Sequence, residues 1–399
     1  MRNYHCLRNT FLEVALRDLS EYRIEFPITR NHVFFNHAAI SSPPERVSRL
    51  VGELFRQFSQ EGITHYPEWM KQVDKTRALF AELIHAEPHE IAFTGNTSDG
   101  LSIVAAGIAW RPGDRVLLTV PDFPSNIYPW MNLQRLGIEP YFLEKNYGRL
   151  TASDVARVLR PGTRLITVSS TDYSTGFRCD LFELAEFCRQ RGILLCVDAI
   201  QSLGAVPLDV KETGIHFLAC GGHKWLLSTM GIGAVYISRE VNDLVYPARV
   251  GWRSVENEDD FCNLDWTLKL DSKLKKDALR FETGTLNISG ITAFGIAVKM
   301  LLEIGVERIY ERILQINDIL RSGLEKRGFA ILSPVEKEHR SGILSFVPDD
   351  STDLFRYFLE NKVMVAQRGN AVRLSPHFYN DENDVAKFFD VLDGYAKKK

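Results

Sequence analysis

The chain has 399 residues, 45% hydrophobic and 25% charged, with a formal net charge of −3, which indicates a globular protein of about two to three domains. This charge balance excludes a general basic field for nucleic acid or an anionic membrane, so we expect neither as a partner. No run approaches the roughly 20 apolar residues of a membrane span, and residues 1–29 lack the basic-then-apolar order of a secretory signal, which favours a cytoplasmic protein.

The first informative segment follows a mixed polar and aromatic stretch, residues 1–30, in which we predict one helix at Thr10–Leu19. A strand-like run at 33–35 then ends in Asn36 and His37, before two alanines. The residues alone leave a simple turn after a strand as an open interpretation.

Helical spacing of apolar residues predicts helices at Pro44–Ser59 and Trp69–Leu83, and a strand follows at Ile91–Thr94. Residues 95–100, which read GNTSDG, then open a helix through Leu101–Ala109. The free N–H groups of a helix N-terminus, with hydroxyls nearby, suit an anion such as phosphate.

Thr97 and Ser98 are the hydroxyl residues of this turn. An ordinary N-cap by either residue would give the same pattern. The segment is not a Walker loop, because it lacks the Gly-Lys-Ser/Thr ending.

Alternation of strands and helices continues through the middle of the chain. We predict strands at Arg115–Val120, Leu165–Ser169 and Ile193–Asp198, with a helix at Leu181–Gln190 between the last two. Sustained alternation of this kind predicts an α/β fold with a mostly parallel sheet.

An acid and a lysine mark the predicted edge of this sheet. Asp198 ends one buried strand, and a second apolar segment, Ile215–Ala219, runs into two glycines, His223 and Lys224. Ligand sites lie at the carboxyl ends of such strands. Taken singly, Asp198 could be a helix N-cap and Lys224 a surface cation.

Together the two residues suit pyridoxal phosphate (PLP). A lysine amine forms a Schiff base with the PLP aldehyde, while an acid pairs with the pyridinium nitrogen and keeps the ring an electron sink. A desolvated lysine also loses its proton readily, so it can act as a nucleophile and then as a base.

Beyond the middle region, residues 242–280 are largely polar and predict long connecting loops. A helical pattern at Ile291–Arg327 is followed by short strands and a last helix at Asn383–Tyr395. This mixture predicts a smaller α+β domain. The short strands are predicted around Ile331, Ile343–Phe346, Val363–Ala366 and Val372–Leu374.

The six cysteines form no C-x-x-C pair and no zinc-like spacing, so we predict no metal site. Cys196 and Cys220 lie in apolar strand-like runs. We expect most of the six to be reduced packing residues.

The segments VDAIQS and GGHKW, with their spacing, resemble the class V aminotransferase family of PLP enzymes, which includes cysteine desulfurases and isopenicillin N epimerase-like proteins. Matching segments extend from about Phe34 to Asn380 in the family's order. The resemblance implies fold type I, with a large PLP-binding α/β domain at 31–285 whose sheet is of the seven-stranded type. A smaller C-terminal α+β domain at 286–399 and an N-terminal segment at 1–30 complete the predicted organisation.

Roles for individual residues are implied by the same resemblance. Lys224 corresponds to the Schiff-base lysine and Asp198 to the partner of the pyridinium nitrogen. Gln201 corresponds to the donor to the phenolic oxygen of PLP. The implied phosphate ligands are His223, Thr97 and Ser98.

The aromatic ring that stacks on the pyridine is implied at Phe123, where many desulfurases have histidine. The segment AVRLSPHFYN places the arginine for the substrate carboxylate at Arg373, whose guanidinium fork can bind a carboxylate in two parallel hydrogen bonds. The resemblance makes Asn36 and His37 candidate substrate-side residues. Thr285, in RFETGT, is implied to complete the partner subunit's phosphate site, which predicts a homodimer.

These residues predict a PLP enzyme acting on an amino-acid-like substrate, with amino-group transfer favoured over C–S lyase, desulfurase-like or epimerase chemistry. A persulfide-forming desulfurase is disfavoured, because such relatives carry a reactive cysteine before the carboxylate-binding arginine. Here no cysteine follows Cys262, and Phe123 cannot relay a proton. A non-catalytic interaction protein of the same fold is the alternative from another class, since Gly221 stands where many relatives have serine or threonine.

Overall fold

A computed structural model describes residues 18–256 and 273–398. The predicted helix at Thr10–Leu19 lies almost wholly outside the described residues, and so do Cys6 and Cys262. Leu19 itself begins a 3₁₀ helix, Leu19–Glu25.

The described chain alternates strands and helices through its middle third. The strands are β1 (Val33–Phe34), β2 (Ile91–Thr94), β3 (Arg115–Val120), β4 (Glu139–Glu144), β5 (Thr163–Ser169), β6 (Leu194–Asp198), β7 (Phe217–Gly221), β8 (Gly233–Ile237), β9 (Ala330–Ile331), β10 (Leu344–Val347), β11 (Val363–Met364), β12 (Ala366–Arg368) and β13 (Ala371–Leu374). The α-helices are α1 (Glu45–Glu61), α2 (Tyr66–Leu83), α3 (Thr97–Gly107), α4 (Tyr128–Met131), α5 (Ala152–Val158), α6 (Leu181–Arg189), α7 (Val210–Thr213), α8 (Ile288–Ile304), α9 (Val306–Glu325), α10 (Ser351–Glu360) and α11 (Glu382–Ala396).

Seven strands form the large sheet, in the order β2-β8-β7-β6-β5-β3-β4. Neighbours from β7 through β4 are parallel, whereas β8 is antiparallel to both β7 and β2. The prediction of a mostly parallel sheet is therefore confirmed. Strand β4 was not predicted from the sequence, because this edge strand begins and ends with exposed glutamates and contains Pro140.

The central strands are buried on both faces, as their uninterrupted apolar runs require. In β6, Leu195 and Val197 join a core cluster with α2, α6 and α8, while Leu194 and Cys196 join a second cluster with α3. Successive strand side chains point to opposite faces, so one short run contributes to both cores.

A smaller antiparallel sheet, in the order β12-β13-β10-β9, lies among α9, α10 and α11. The predicted helical run at Ile291–Arg327 is two helices, separated at Gly305, which has a φ of 89° that favours glycine. Strand β1 pairs with β11, and α8 joins the core of the large sheet. Both contacts cross the boundary at 286. The domain boundaries at 31 and 286 stay predictions.

In the part of the chain that the structure describes, no single helix is long and apolar enough to cross a membrane. Helices α8 and α9 reach that threshold only as a pair, which is bent by 79°.

A buried ion pair between Arg77 and Glu282 connects the RFETGT segment to the large sheet. The Glu282 carboxylate accepts hydrogen bonds from the Arg77 guanidinium at 2.6 and 3.1 Å and from the Phe93 N–H at 2.8 Å. Both charged side chains are at most 4% exposed. Removing one charge from such a pair leaves the other buried without compensation.

We predict that Glu282→Gln lowers the free energy of unfolding by about 3–5 kcal/mol, because the Arg77 charge stays buried without a counter-charge. Urea unfolding followed by circular dichroism measures the change. Glu186→Gln, which removes the same charge from the exposed pair with Arg189, is the matched control and should cost less than about 1 kcal/mol. Equal losses in the two variants would contradict this account of Glu282.

Candidate active site

A cavity of about 340 Å³ lies at the carboxyl ends of the parallel strands. It brings together eight of the eleven predicted site residues: Thr97, Ser98, Phe123, Asp198, Gln201, His223, Lys224 and Arg373. The remaining lining residues are Ala38, Ala39, Ile40, Asn96, Ser125, Tyr173, Ile200 and Arg368.

Asp198 is the last residue of β6 and is 1% exposed. Its Oδ1 accepts a hydrogen bond from the Ile200 N–H at 3.0 Å. Its Oδ2 is buried and has no hydrogen-bond partner among the described residues. An unsatisfied carboxylate oxygen at a cavity wall calls for a donor from a ligand, because burial without a partner is costly.

Lys224 reaches the cavity from a tight turn that follows β7. The turn is closed by hydrogen bonds from the Gly222 N–H to the Ile232 carbonyl and from the Ser228 N–H to the Gly222 carbonyl. A Cβ at Gly222 would lie 2.8 Å from the Phe294 ring, so the close packing beneath the lysine requires glycine.

The charges of Asp198 and Lys224 are each shifted toward the neutral form. Burial lowers the pKa of Lys224 to about 8, with Arg373 and Arg368 adding to the effect and Asp198 opposing it. Burial raises the pKa of Asp198 to about 7, and the nearby Asp122 adds to this rise. A lysine of this kind can supply a free amine near neutral pH.

The N-terminus of α3 opens onto the same cavity. Its N-cap is Asn96, whose side chain accepts from the Asp99 N–H at 3.0 Å. The N-cap interpretation of Thr97 and Ser98 is therefore wrong. As the first two helical residues, they have N–H groups without intrahelical partners, and such groups favour an anion. Burial and Lys224 lower the pKa of His223, which keeps its ring neutral.

Gln201 is held by two hydrogen bonds. Its Nε2 donates to the Ala38 carbonyl at 3.1 Å, and its Oε1 accepts from the Trp225 indole N–H at 3.0 Å. An amide nitrogen carries two hydrogens, so one donor is left for a ligand.

Phe123 and Tyr173 form the aromatic side of the cavity. Their ring centroids are 5.7 Å apart at an interplanar angle of 75°. The Lys224 Nζ lies 5.4 Å from the centre of the Phe123 ring. Phe123 is thus across from the lysine, where a flat ligand ring could stack.

Arg373 is buried at the end of the cavity formed by β13. Its Nη1 donates to the Tyr173 carbonyl at 2.6 Å, whereas Nε and Nη2 are buried without partners among the described residues. Nε and Nη2 form one edge of the guanidinium, so a carboxylate can receive two parallel hydrogen bonds there.

The structure does not bring Asn36 and His37 to the cavity. His37 is fully buried, with Nδ1 2.7 Å from the Ser375 carbonyl oxygen and Nε2 2.7 Å from the Tyr379 hydroxyl. This corrects the expectation that His37 faces the substrate, because both ring nitrogens already have partners. The next residues, Ala38 to Ile40, line the cavity instead.

Thr285 is exposed and lies outside the cavity of its own chain, so its proposed role depends on a second subunit. Three lining residues, Ser125, Tyr173 and Arg368, were not predicted as site residues from the sequence. The alternation of side chains in strands could have revealed Arg368, since it lies in the preceding strand of the hairpin that contains Arg373.

The cavity fits PLP by its donors and acceptors. Asp198 Oδ2 lacks a donor, as the ring N–H of PLP would provide, and α3 has free N–H groups for a phosphate. Lys224 is a buried amine within the same cavity. The three features match the three functional ends of PLP.

Comparison with known proteins agrees with this geometry. The family model described as "Aminotransferase class-V" matches residues 33–388. A "Probable cysteine desulfurase" of Pyrococcus abyssi is 28% identical, covering 96% of this chain and 98% of the relative. An "Uncharacterized aminotransferase YcbU" of Bacillus subtilis is 29% identical, covering 93% and 96%.

Among solved structures, the apo cysteine desulfurase of Thermococcus onnurineus NA1 is similar over nearly its whole length. The TM-score is 0.86 at 26% sequence identity, and the alignment covers 95% of this chain and 98% of that one. The fold type I assignment is therefore confirmed.

The lowered pKa of Lys224 predicts how PLP loading depends on pH. The amine must be free to react with the aldehyde, so the loading rate of apoprotein should rise about tenfold per pH unit below about pH 8 and then level off. Stopped-flow absorbance measures the rate. Lys224→Ala, as control, should give no borohydride-stable adduct. A rate that continued to rise toward pH 10 would mean that Lys224 has an ordinary pKa.

Proposed function

Because the chain belongs to the class V aminotransferase family of PLP-dependent enzymes, we propose that it is a C–S lyase that cleaves the Cβ–S bond of a sulfur-containing amino acid without an enzyme thiol. The relatives named for cysteine desulfuration support cleavage of a C–S bond. The proposal that no enzyme thiol takes part rests on one observation: none of the described cysteines lines the cavity.

The described thiols are poorly suited to attack sulfur. Cys179, Cys188, Cys196 and Cys220 are all buried, and burial raises the pKa of each thiol. A thiolate is the nucleophilic form, so these cysteines stay inert. No cysteine occurs in the sequence between Cys262 and Arg373. A reaction that needs no protein thiol fits this inventory.

Specific residues would hold PLP in this cavity. Lys224 would bind its aldehyde carbon, Asp198 its ring nitrogen, and the N-terminus of α3 its phosphate. Phe123 would cover one face of the ring, and the free hydrogen of Gln201 would reach the phenolic oxygen. When bound, PLP supplies a sink for the electrons that remain on Cα after its proton leaves.

Two residues of the chain, Arg373 and Lys224, then bind the substrate and transfer its proton. The free edge of Arg373 holds the α-carboxylate and fixes the Cα–H bond near Lys224. The substrate amine would displace Lys224 from the aldehyde carbon, and the freed, neutral Lys224 amine would take the Cα proton. The ammonium that forms can return this proton to the departing sulfur. The products are a thiol and 2-aminoacrylate, which water converts to pyruvate and ammonia.

We predict that the PLP-loaded enzyme converts L-cysteine, L-cystine or S-alkyl-L-cysteines to equal amounts of pyruvate and ammonia, measured by coupled assays. Lys224→Ala should lose about 10²–10⁴-fold or more in rate, because the base is gone. Cys262→Ser should behave as wild type. Equal amounts of alanine and protein persulfide, both lost in Cys262→Ser, would make the enzyme a persulfide-forming desulfurase.

Amino-group transfer is the second candidate, favoured by the name of the Bacillus subtilis relative. The same cavity can serve it, because the reactions share loss of the Cα proton and diverge afterwards. The assay separates the two. Amino transfer requires a keto acid and forms its amino acid in proportion, whereas the lyase needs no second substrate and releases ammonia.

We further propose that the enzyme is a homodimer in which Thr285 of the partner subunit contributes to the phosphate site. Two observations support this proposal: Thr285 is exposed, and it follows the segment that Glu282 fastens to the sheet.

Retention of PLP should therefore depend on dimerisation, and Thr285→Ala should increase PLP loss on dialysis. Analytical ultracentrifugation with absorbance detection measures both. A fully loaded, active monomer would overturn the dimer proposal.

A further inference from the structure

The hairpin of β12 and β13 places two arginines on one face of the small sheet. In its register Arg368 pairs with Ala371, and Ala366 pairs with Arg373. Ala371 and Arg373 are two residues apart on one strand, so Arg368 lies on the same face as Arg373 and diagonal to it. The Gly369-Asn370 turn sets this register, with Gly369 at a φ of 58°.

One carboxylate is enough for Arg373. Its Nη1 is used by the Tyr173 carbonyl, which leaves the Nε and Nη2 edge as a complete fork for a single carboxylate. Arg368 is therefore not needed to bind the α-carboxylate that the proposed function assigns to Arg373.

Arg368 has no acidic partner among the described residues. Its Nη1 donates a hydrogen bond to the Gln367 carbonyl at 2.7 Å, and its side chain lines the cavity. Among the described residues that line the cavity, Asp198 is the only one with a carboxylate, and its free oxygen suits the PLP ring nitrogen. The substrate end of the cavity thus holds two guanidinium groups without a matching negative charge.

Two guanidinium groups that line one cavity destabilise each other's charged form. Burial lowers the pKa of Arg373, and the charge of Arg368 lowers it further, although arginine stays protonated in proteins. Two partly desolvated cations side by side repel each other, and anionic ligands relieve that repulsion. A ligand with two negative groups would satisfy both cations.

We infer that Arg368 is a specificity residue that binds a second anionic group of the substrate, a carboxylate or a sulfur oxyanion carried beyond the Cβ atom. This inference takes only the reaction from the proposed function. In that reaction, the second acidic group belongs to the part of the substrate that leaves with the sulfur atom. The alternative use of Arg368, as a second clamp on the α-carboxylate, makes no distinction between acidic and neutral side chains.

Binding of unreactive acids to the PLP-loaded enzyme tests the inference without any turnover. Glutarate should bind at least about tenfold more tightly than butyrate by isothermal titration calorimetry, since it can reach both arginines. Arg368→Gln should remove this preference and leave butyrate affinity within about twofold. Arg368→Lys, which keeps the charge, should retain part of it. Arg356→Gln, an exposed arginine on α10 outside the cavity, is the matched control and should behave as wild type.

Turnover gives a second measurement. The ratio of kcat/KM for S-carboxymethyl-L-cysteine to that for S-ethyl-L-cysteine should exceed about tenfold and fall toward one in Arg368→Gln. Equal binding of glutarate and butyrate to wild type, or equal weakening of both by Arg368→Gln, would overturn the inference. A glutarate preference that depends on Arg368, with no pyruvate from any sulfur substrate, would sustain the inference and refute the lyase proposal instead.

Discussion

The burial of Asp198 and Lys224 in one cavity is the constraint on which the rest of the site depends. Asp198 ends β6, and Lys224 lies in the turn after the adjacent parallel strand β7, where both groups are removed from water. Burial raises the pKa of the Asp198 carboxyl and lowers the pKa of the Lys224 amine. Both pKa values therefore lie close to neutral pH. Such a pair is costly unless further partners complete it. The free Asp198 Oδ2 shows which partner is missing on the acid side.

Other parts of the chain converge on this pair through backbone contacts. The Ser41 N–H donates to the His223 carbonyl at 2.8 Å, which ties the segment after β1 to the lysine turn. The Tyr173 carbonyl, from the loop after β5, positions Arg373 of the small sheet. The buried His37 also contributes, through Tyr379, to the packing behind the cavity. Residues distant in sequence are thereby fixed around one ligand.

The chemistry follows from what this cavity contains and what it leaves out. It has a base in Lys224, a fork for a carboxylate in Arg373 and a cation in Arg368 that makes no ion pair with the described residues. No described cysteine lines it, although relatives are named for desulfuration. A C–S cleavage that leaves sulfur on a small product is consistent with both facts. An acid carried by that product would also account for Arg368.

Sequence alone determined the fold class, the parallel sheet, the PLP family and eight of the residues that meet in one cavity, because these rest on local patterns and short motifs. It could not place His37, since whether a side chain faces a ligand or the core depends on Ser375 and Tyr379, distant in sequence. It also passed over Arg368, whose position follows from the register of a hairpin. A short motif identifies functional residues that are close together in the sequence. The partners of a buried charge, by contrast, come from segments that are distant in the sequence and meet only in the folded protein. Only the tertiary structure therefore decided which edge of Arg373 lacks a partner among the described residues, and that Arg368 lies in the same cavity without a described carboxylate as its partner.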